Sequence, residues 1–416
     1  MNYDHAMRRL QPSARTWLAL LVAVAAAKIA STWLVASVVE SDLSGGVYAF
    51  LARNLLLGHG FVMEPGGPPS LWRGPIYPLL LAGDWSLFGL EHYESVVAGQ
   101  VVLGIAAAMV IFAIARRLAH PAAAAAAAIA TAAYPAASYY TLRYMTESLV
   151  TLLLAAFVWT LYAALERDRA TLWAAAGGLG GLAALTRPAA ILVAPVAAAW
   201  LLLLGGRVQL RAATWLVAGS LLVVGPWTIR NARVSGEFIP IATGGGYSFW
   251  VGNRLASDGL DDGELDLLGR AEFVSARARI AANPDWLSIT PEMDRRFWAA
   301  AMEGLADDPM GSIGLAGRRA LRLWFSAYTP AMRRWNGALV VMHGSLLLLA
   351  AWGAVRLMGH DRTIWPLVLV VLYTWGLHTV VVATARYSVP VVPLLVVLAC
   401  AGLSDHPLVP ARLRGR

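Results

Sequence analysis

The chain has 416 residues, of which 58% are hydrophobic and 14% charged, and its mean hydropathy is +0.60. Several apolar runs are longer than a soluble core needs, which excludes an ordinary water-soluble domain and indicates a polytopic membrane protein. The formal net charge is +8, but the basic residues are scattered between apolar runs, a pattern that fits membrane topology and not a nucleic-acid patch.

Cys400 is the only cysteine, so a disulfide or a Cys-based metal site within one chain is excluded. Lys28 is the only lysine and lies inside the first apolar run, where an ionisable residue is a functional suspect by default.

That run begins at Thr16 and is too long for the apolar core of a signal peptide, so it reads as a retained span. Candidate spans follow at 16–38, 94–115, 122–138, 147–165, 171–186, 188–204, 212–229, 337–356, 363–382 and 388–403. The expected fold class is an all-α polytopic membrane protein with about ten spans. The fifth span, "AAAGGLGGLAALTRP", is glycine-rich and is expected to pack closely on a neighbour.

Arginines gather at alternate ends of these spans: Arg8, Arg9 and Arg15, then Arg116 and Arg117, Arg167 and Arg169, Arg207 and Arg211, Arg356 and Arg362, and the final "ARLRGR". That side reads as cytoplasmic in a plasma membrane, leaving the long connections on the exterior or periplasmic face. Residues 39–93 form a first outer loop with amphipathic interfacial pieces near 45–58 and 75–89. Three regions are expected: a membrane module over 1–230, an extracytoplasmic helical region over 231–336, and membrane helices with a basic tail over 337–416. The last outer helix should start at "DDPMGSIGLAGRRALRLWF", capped by Asp307 or Asp308 with Pro309 in the first turn.

Polar residues collect on the outer side. Asp42 follows the first span, Arg73 and Tyr77 lie in the first outer loop, and Arg143 and Glu147 stand between spans three and four. Arg187 lies between spans five and six, Arg230 and Asn231 end span seven, and Arg386 and Tyr387 join spans nine and ten. An arginine at a span end most often snorkels to headgroups, and an acid there often caps a helix. Collected from five connections onto one face, the set favours function. Guanidinium groups at headgroup level suit a phosphate, and a nearby carboxylate can accept a proton from an attacking hydroxyl. His59 and His378 show no paired spacing, so a divalent metal finds no support and no metal ligand is assigned.

The ordered motifs "SDLSGGVYAFLARNLLLGHGF", "WRGPIYPLLLAGDWSLFG", "YPAASYYTLRYMTESL", "GLAALTRPAAILV", "GPWTIRNARVSGEFIPIATGGGYSFWVGN" and "ATARYSVPVVP" resemble the GT-C glycosyltransferases of the protein O-mannosyltransferase and lipid A aminoarabinose transferase type. The resemblance implies a sugar donor on a polyprenyl phosphate and an outer-face active site. Attack by an acceptor hydroxyl of a glycan, lipid or protein, opposite the leaving lipid phosphate, would invert the sugar. It maps the catalytic base to Asp42 and the second acid to Glu147, which would orient the acceptor, hold Arg143 or, less in keeping with the spacing, bind metal. Arg386 and Tyr387 map to donor-phosphate contact, with Arg187, Arg73, Tyr77 and Arg143 as further contacts. Many relatives have adjacent acids in the first loop, whereas Leu43 follows Asp42 here. A flippase or transporter of a lipid-linked sugar is the alternative. It predicts charges in several span interiors and pseudo-symmetric halves, and apart from Lys28 the interiors lack such charges.

Overall fold

The computed structural model describes residues 13–38, 46–254, 289–326, 336–358 and 364–404. Among the described residues the regular structure is helical, with one isolated bridge between Val62 and Pro69. In chain order the helices are α1 (Ala14–Val38), α2 (Val47–Leu56), α3 (Ile76–Phe88), α4 (Tyr93–Ala115), α5 (Pro121–Ala133), α6 (Pro135–Thr141), α7 (Glu147–Arg167) and α8 (Ala170–Thr186). A 3₁₀ turn (Pro188–Ala190) leads into α9 (Val193–Leu204), followed by α10 (Arg207–Ser235), α11 (Gly245–Asn253), α12 (Pro291–Asp307), α13 (Pro309–Phe325), α14 (Asn336–Met358) and α15 (Trp365–Val380). A second 3₁₀ turn (Ala385–Ser388) precedes α16 (Val392–Gly402).

Five helices, α1, α4, α7, α10 and α14, are long and apolar enough to cross a membrane. Shorter apolar helices stand at the other five expected positions. The bundle is organised around α7. In its most apolar stretch 78% of the residues are buried, against 22–33% in the other four. Those peripheral helices turn Trp33, Val102, Leu222 and Leu348 outward, as helices solvated by hydrocarbon do.

The third expected span differs from its sequence reading. It breaks at Tyr134, whose backbone is extended because Pro135 follows, and a separate short helix, α6, begins there. In the first connection α2 is amphipathic as expected, with Asn54 buried and donating to the carbonyls of Val62 and Met63. Helix α3 is apolar on both sides instead: Tyr77, Leu81 and Trp85 are buried while Leu79, Leu87 and Phe88 are exposed. Its outer side is suited to hydrocarbon, not to water.

The glycine-rich fifth helix packs as its composition requires. A Cβ on Gly177 would lie 1.8 Å from the Leu216 carbonyl oxygen of α10, and one on Gly219 would lie 2.0 Å from that of Ala174. The two backbones touch because neither helix carries a side chain at these points.

Among the described residues after α10, helix α13 packs on the bundle. Asp308 caps α13 by accepting from the Gly311 amide at 2.8 Å, with Pro309 in the first turn. The C-terminal half of α13 then packs against membrane helices. Trp375 of α15 donates to the Ala320 carbonyl at 3.0 Å, and buried His343 of α14 meets the Trp324 carbonyl at 2.5 Å. A carbonyl can only accept, so His343 Nδ1 carries the proton and Nε2 accepts from the Tyr134 hydroxyl at 2.8 Å.

Gly177→Val and Gly219→Val should each force α8 and α10 apart, at a cost of about 1–3 kcal/mol or more, and lower the thermal midpoint of the purified protein. Gly178→Ala meets only ordinary contacts at 3.6 and 3.9 Å, and should leave the midpoint unchanged.

Candidate functional site

The turn between α6 and α7 carries the sequence "LRYMTE" and is held from behind. Gln100 of α4 donates to the carbonyls of Thr141 at 3.1 Å and Arg143 at 2.7 Å, and Tyr93 donates to that of Leu142 at 2.9 Å. Lys28 of α1 is 2% exposed. Its ammonium donates to Thr141 Oγ1 at 2.9 Å and Ser138 Oγ at 3.3 Å, which ties the suspect lysine of the first span to the same short segment. Gly104 lets the lysine stem pass, because a Cβ there would lie 2.7 Å from Lys28 Cε.

Glu147 leaves this turn as the first residue of α7 and is 1% exposed. Its Oε1 accepts from Arg187 Nη1 at 3.2 Å and from Arg386 Nε in a second, shorter contact. Arg187 stands at the corner before Pro188, where the chain is extended and turns from α8 toward α9. Arg386 stands in the 3₁₀ turn between α15 and α16. The carboxylate expected to hold Arg143 therefore pairs with two other arginines. Arg143 lies over the Tyr139 ring at 4.5 Å. Burial alone would lower the basicity of Arg386, but Glu147 outweighs it and the net direction is upward.

A cavity of about 250 Å³ opens beside this pair, lined by Gly46, Tyr48, Arg73, Tyr93, Arg143, Tyr144, Met145 and Arg386 among others. Arg73 lies over Trp72 at 4.2 Å and Tyr48 at 5.7 Å, and its Nε is buried with no hydrogen-bond partner. Burial lowers its basicity, with nearby Arg386 and Arg187 acting in the same sense. A narrow apolar groove between α7, α9 and α15 also includes Arg187, His378 and Tyr387 in its lining. Tyr387 is sandwiched there, with the Arg187 guanidinium at 4.6 Å from its ring and the His378 ring stacked at 4.4 Å.

Arg73, Arg143 and Arg386 thus share the cavity, and Arg187 joins through Glu147. Tyr387 belongs to the groove. Tyr77, expected on the donor side, is fully buried. It stands behind the wall, edge-on to Tyr48 and within 3.5 Å of Gln100 Oε1. Arg230 and Asn231 serve the scaffold, donating to the carbonyls of Ser70 at 2.8 Å and Ile239 at 3.1 Å respectively. Asp42 lies outside the described residues. Sequence reasoning missed Tyr48, Trp72, Gln100 and Tyr144. The one signal it offered was the density of aromatics next to the outer arginines.

Glu147 pairs with Arg187 and Arg386, and Arg73 and Arg143 stand with Arg386 on an aromatic-walled cavity, an arrangement of the kind that suits an anion. Among the described residues no group of three His, Cys, Asp or Glu stands close enough to hold a metal ion. Glu147→Gln should leave two partly buried guanidiniums without a counter-charge and cost about 3–5 kcal/mol, read as a large drop in thermal midpoint; Glu147→Asp should lose less.

Residues 72–229 match the family described as dolichyl-phosphate-mannose-protein mannosyltransferase. The structure is similar to the oligosaccharyltransferase of Archaeoglobus fulgidus. The apo form aligns with a TM-score of 0.57 at 16% identity, over 93% of this chain and 50% of that one. AglB from the same organism, in complex with an inhibitory peptide and a dolichol phosphate, aligns with a TM-score of 0.55 at 16% identity, over 92% and 50%. The chain therefore spans about half the length of these enzymes. ArnT from Cupriavidus metallidurans, bound to undecaprenyl phosphate, aligns over 94% of this chain and 77% of its own, at 16% identity and a TM-score of 0.45. No curated protein sequence is significantly similar to this one.

Proposed function

Because the chain has the GT-C glycosyltransferase fold, we propose that it moves a sugar from a polyprenyl-phosphate donor to an acceptor hydroxyl, with inversion at the anomeric carbon. The observation that carries this reading is the convergence of Arg73, Arg143 and Arg386 on one aromatic-walled cavity at the bundle end away from the basic turns. Those turns contain Arg116, Arg117, Arg167, Arg169, Arg207, Arg211 and Arg356. By the inside-positive bias they face the cytoplasm, and the cavity then faces the exterior of the plasma membrane.

In this mechanism the donor phosphate lies between Arg386, Arg187 and Arg73, and the sugar lies against the tyrosine rings of the cavity. The apolar groove that includes Arg187 and Tyr387 in its lining takes the first isoprene units. Asp42, four residues before the cavity-lining Gly46, serves as base. It takes the proton of the acceptor hydroxyl as that oxygen bonds to the anomeric carbon, and the bond from that carbon to the phosphate oxygen breaks on the opposite side. The electron pair leaves with the polyprenyl phosphate, whose growing charge the arginines stabilise in a poorly hydrated site. A phosphate leaves without protonation, so no acid is needed on that side. Glu147 positions arginines and takes no part in proton transfer. The acceptor is a glycan, lipid or protein hydroxyl.

Transfer of radiolabelled sugar from a panel of synthetic polyprenyl-phosphate sugars tests this. Asp42→Asn should lose about 10²–10⁴-fold in rate while remaining folded. Arg386→Gln should raise the donor KM and leave the acceptor KM alone. Equal turnover in wild type and Asp42→Asn would remove Asp42 as base, and the absence of transfer from every donor would refute the reading.

A further inference from the structure

Arg319 is 1% exposed and pairs with no carboxylate among the described residues. Its guanidinium instead gathers the ends of two helices. It donates to the Thr379 carbonyl of α15 at 2.7 Å, to the Gly252 carbonyl of α11, and to Asn253 Oδ1 at 3.0 Å. Asn253 in turn donates to the Val380 carbonyl at 3.1 Å. A cation on C-terminal carbonyls completes their hydrogen bonding and complements both helix dipoles.

The other end of α11 carries the opposite charge. Asp294 of α12 accepts from the amides of Gly244 at 2.9 Å, Gly246 at 2.8 Å and Tyr247 at 3.3 Å through a single oxygen, Oδ1. Helix α11 is therefore clamped by an anion at its N-terminus and a cation at its C-terminus, each supplied by another helix.

What lies against these two ends matters most. Beside the N-terminus, a Cβ on Gly244 would stand 3.2 Å from the Trp72 ring, and the Thr243 amide donates to the Leu71 carbonyl at 2.8 Å. Trp72 carries the Arg73 guanidinium on its face. Beside the C-terminus, a Cβ on Gly252 would stand 1.6 Å from the Val381 carbonyl oxygen. Val381 begins the short connection to Arg386, and Ser326, the residue that caps the end of α13, holds that connection again where its Oγ accepts from the Ala385 amide at 3.1 Å. A nine-residue helix is about 13 Å long, so α11 spans the gap between the supports of the two arginines.

We propose that α11, locked by Asp294 and Arg319, is a strut that sets the spacing of Arg73 and Arg386, and that both charged residues are positioning residues for the anion site. The proposal rests on the functional reading above only for the identity of the anion. It gives the region after α10 a task that no cavity residue performs: it transmits the packing of α12 and α13 to both arms of the receptor.

The test uses the full chain in lipid nanodiscs and two readouts. In hydrogen–deuterium exchange without ligand, Arg319→Gln should speed exchange of the amides at 382–388, and Asp294→Asn that of residues 71–73. Unchanged exchange at these sites in folded variants overturns the strut. In binding of farnesyl phosphate, both variants should lose roughly 5–30-fold in affinity, Arg319→Lys should recover part of it, and exposed Arg296→Gln should behave as wild type. If the wild type binds and the variants bind equally well, the strut is overturned and the proposed function stands. If the wild type does not bind, the polyprenyl-phosphate reading fails, and the exchange experiment alone decides the strut. Should Arg319→Gln fail to fold, Asp294→Asn carries both readouts, and wild-type values in each would overturn the proposal.

Discussion

A carboxylate buried at the level where helices leave a membrane is stable only if its charge is answered, and Glu147 is answered twice. Its partners come from distant parts of the chain: Arg187 lies 40 residues downstream and Arg386 lies 239. One buried anion thus fixes the start of α7, the corner between α8 and α9 and the turn before α16 relative to one another. The dependence is mutual, since loss of the carboxylate would leave two partly buried guanidiniums without their counter-charge. Its second oxygen, Oε2, is buried with no partner, so the knot is held entirely through Oε1.

The rest of the bundle keeps those three elements where the knot needs them. Helix α7 runs through the centre. Close backbone contact between α8 and α10 at Gly177 and Gly219 fixes the line of α8, whose last turn ends at Arg187. The turn leading into Glu147 is pinned from behind by Gln100, Tyr93 and Lys28, three polar side chains that the hydrocarbon would otherwise exclude. Lys28 thereby finds its reason in the scaffold: its ammonium orders the short helix that Pro135 detaches from α5.

The helices were legible in the sequence because the bilayer imposes a length and a composition on each of them. The break in the third span was legible in principle too, since Pro135 dictates an extended Tyr134. The outer arginines stood out because topology makes them anomalous there, and Arg73, Arg143, Arg187 and Arg386 do meet around one carboxylate and one cavity. Pairing was not legible. Nothing local distinguishes Arg143, one turn away from Glu147, from Arg386 at the far end of the chain, and only tertiary packing chose the latter. Tyr77 misled for the same reason: an aromatic in an outer loop can line a cavity or support its wall. Arg319 stands beside Arg318 and near Arg322 in the sequence, and its burial depends on α11 and α15 arriving together.

The arrangement of charge also bears on turnover. Three guanidiniums around one phosphate in a site of low dielectric would bind a monoester dianion very tightly, because each pairwise attraction is several times stronger there than in water. Under the proposed reaction the product is that dianion, and it must leave. A carboxylate held between two of the arginines weakens the field at the phosphate while keeping the donors in position. Glu147 then weakens product binding more than transition-state binding, since its repulsion acts on the full charge of the released phosphate more than on the partial charge of the departing one. On this view one residue serves stability and catalysis by the same interaction. It makes the burial of Arg187 and Arg386 tolerable, and it sets how strongly they hold what they bind.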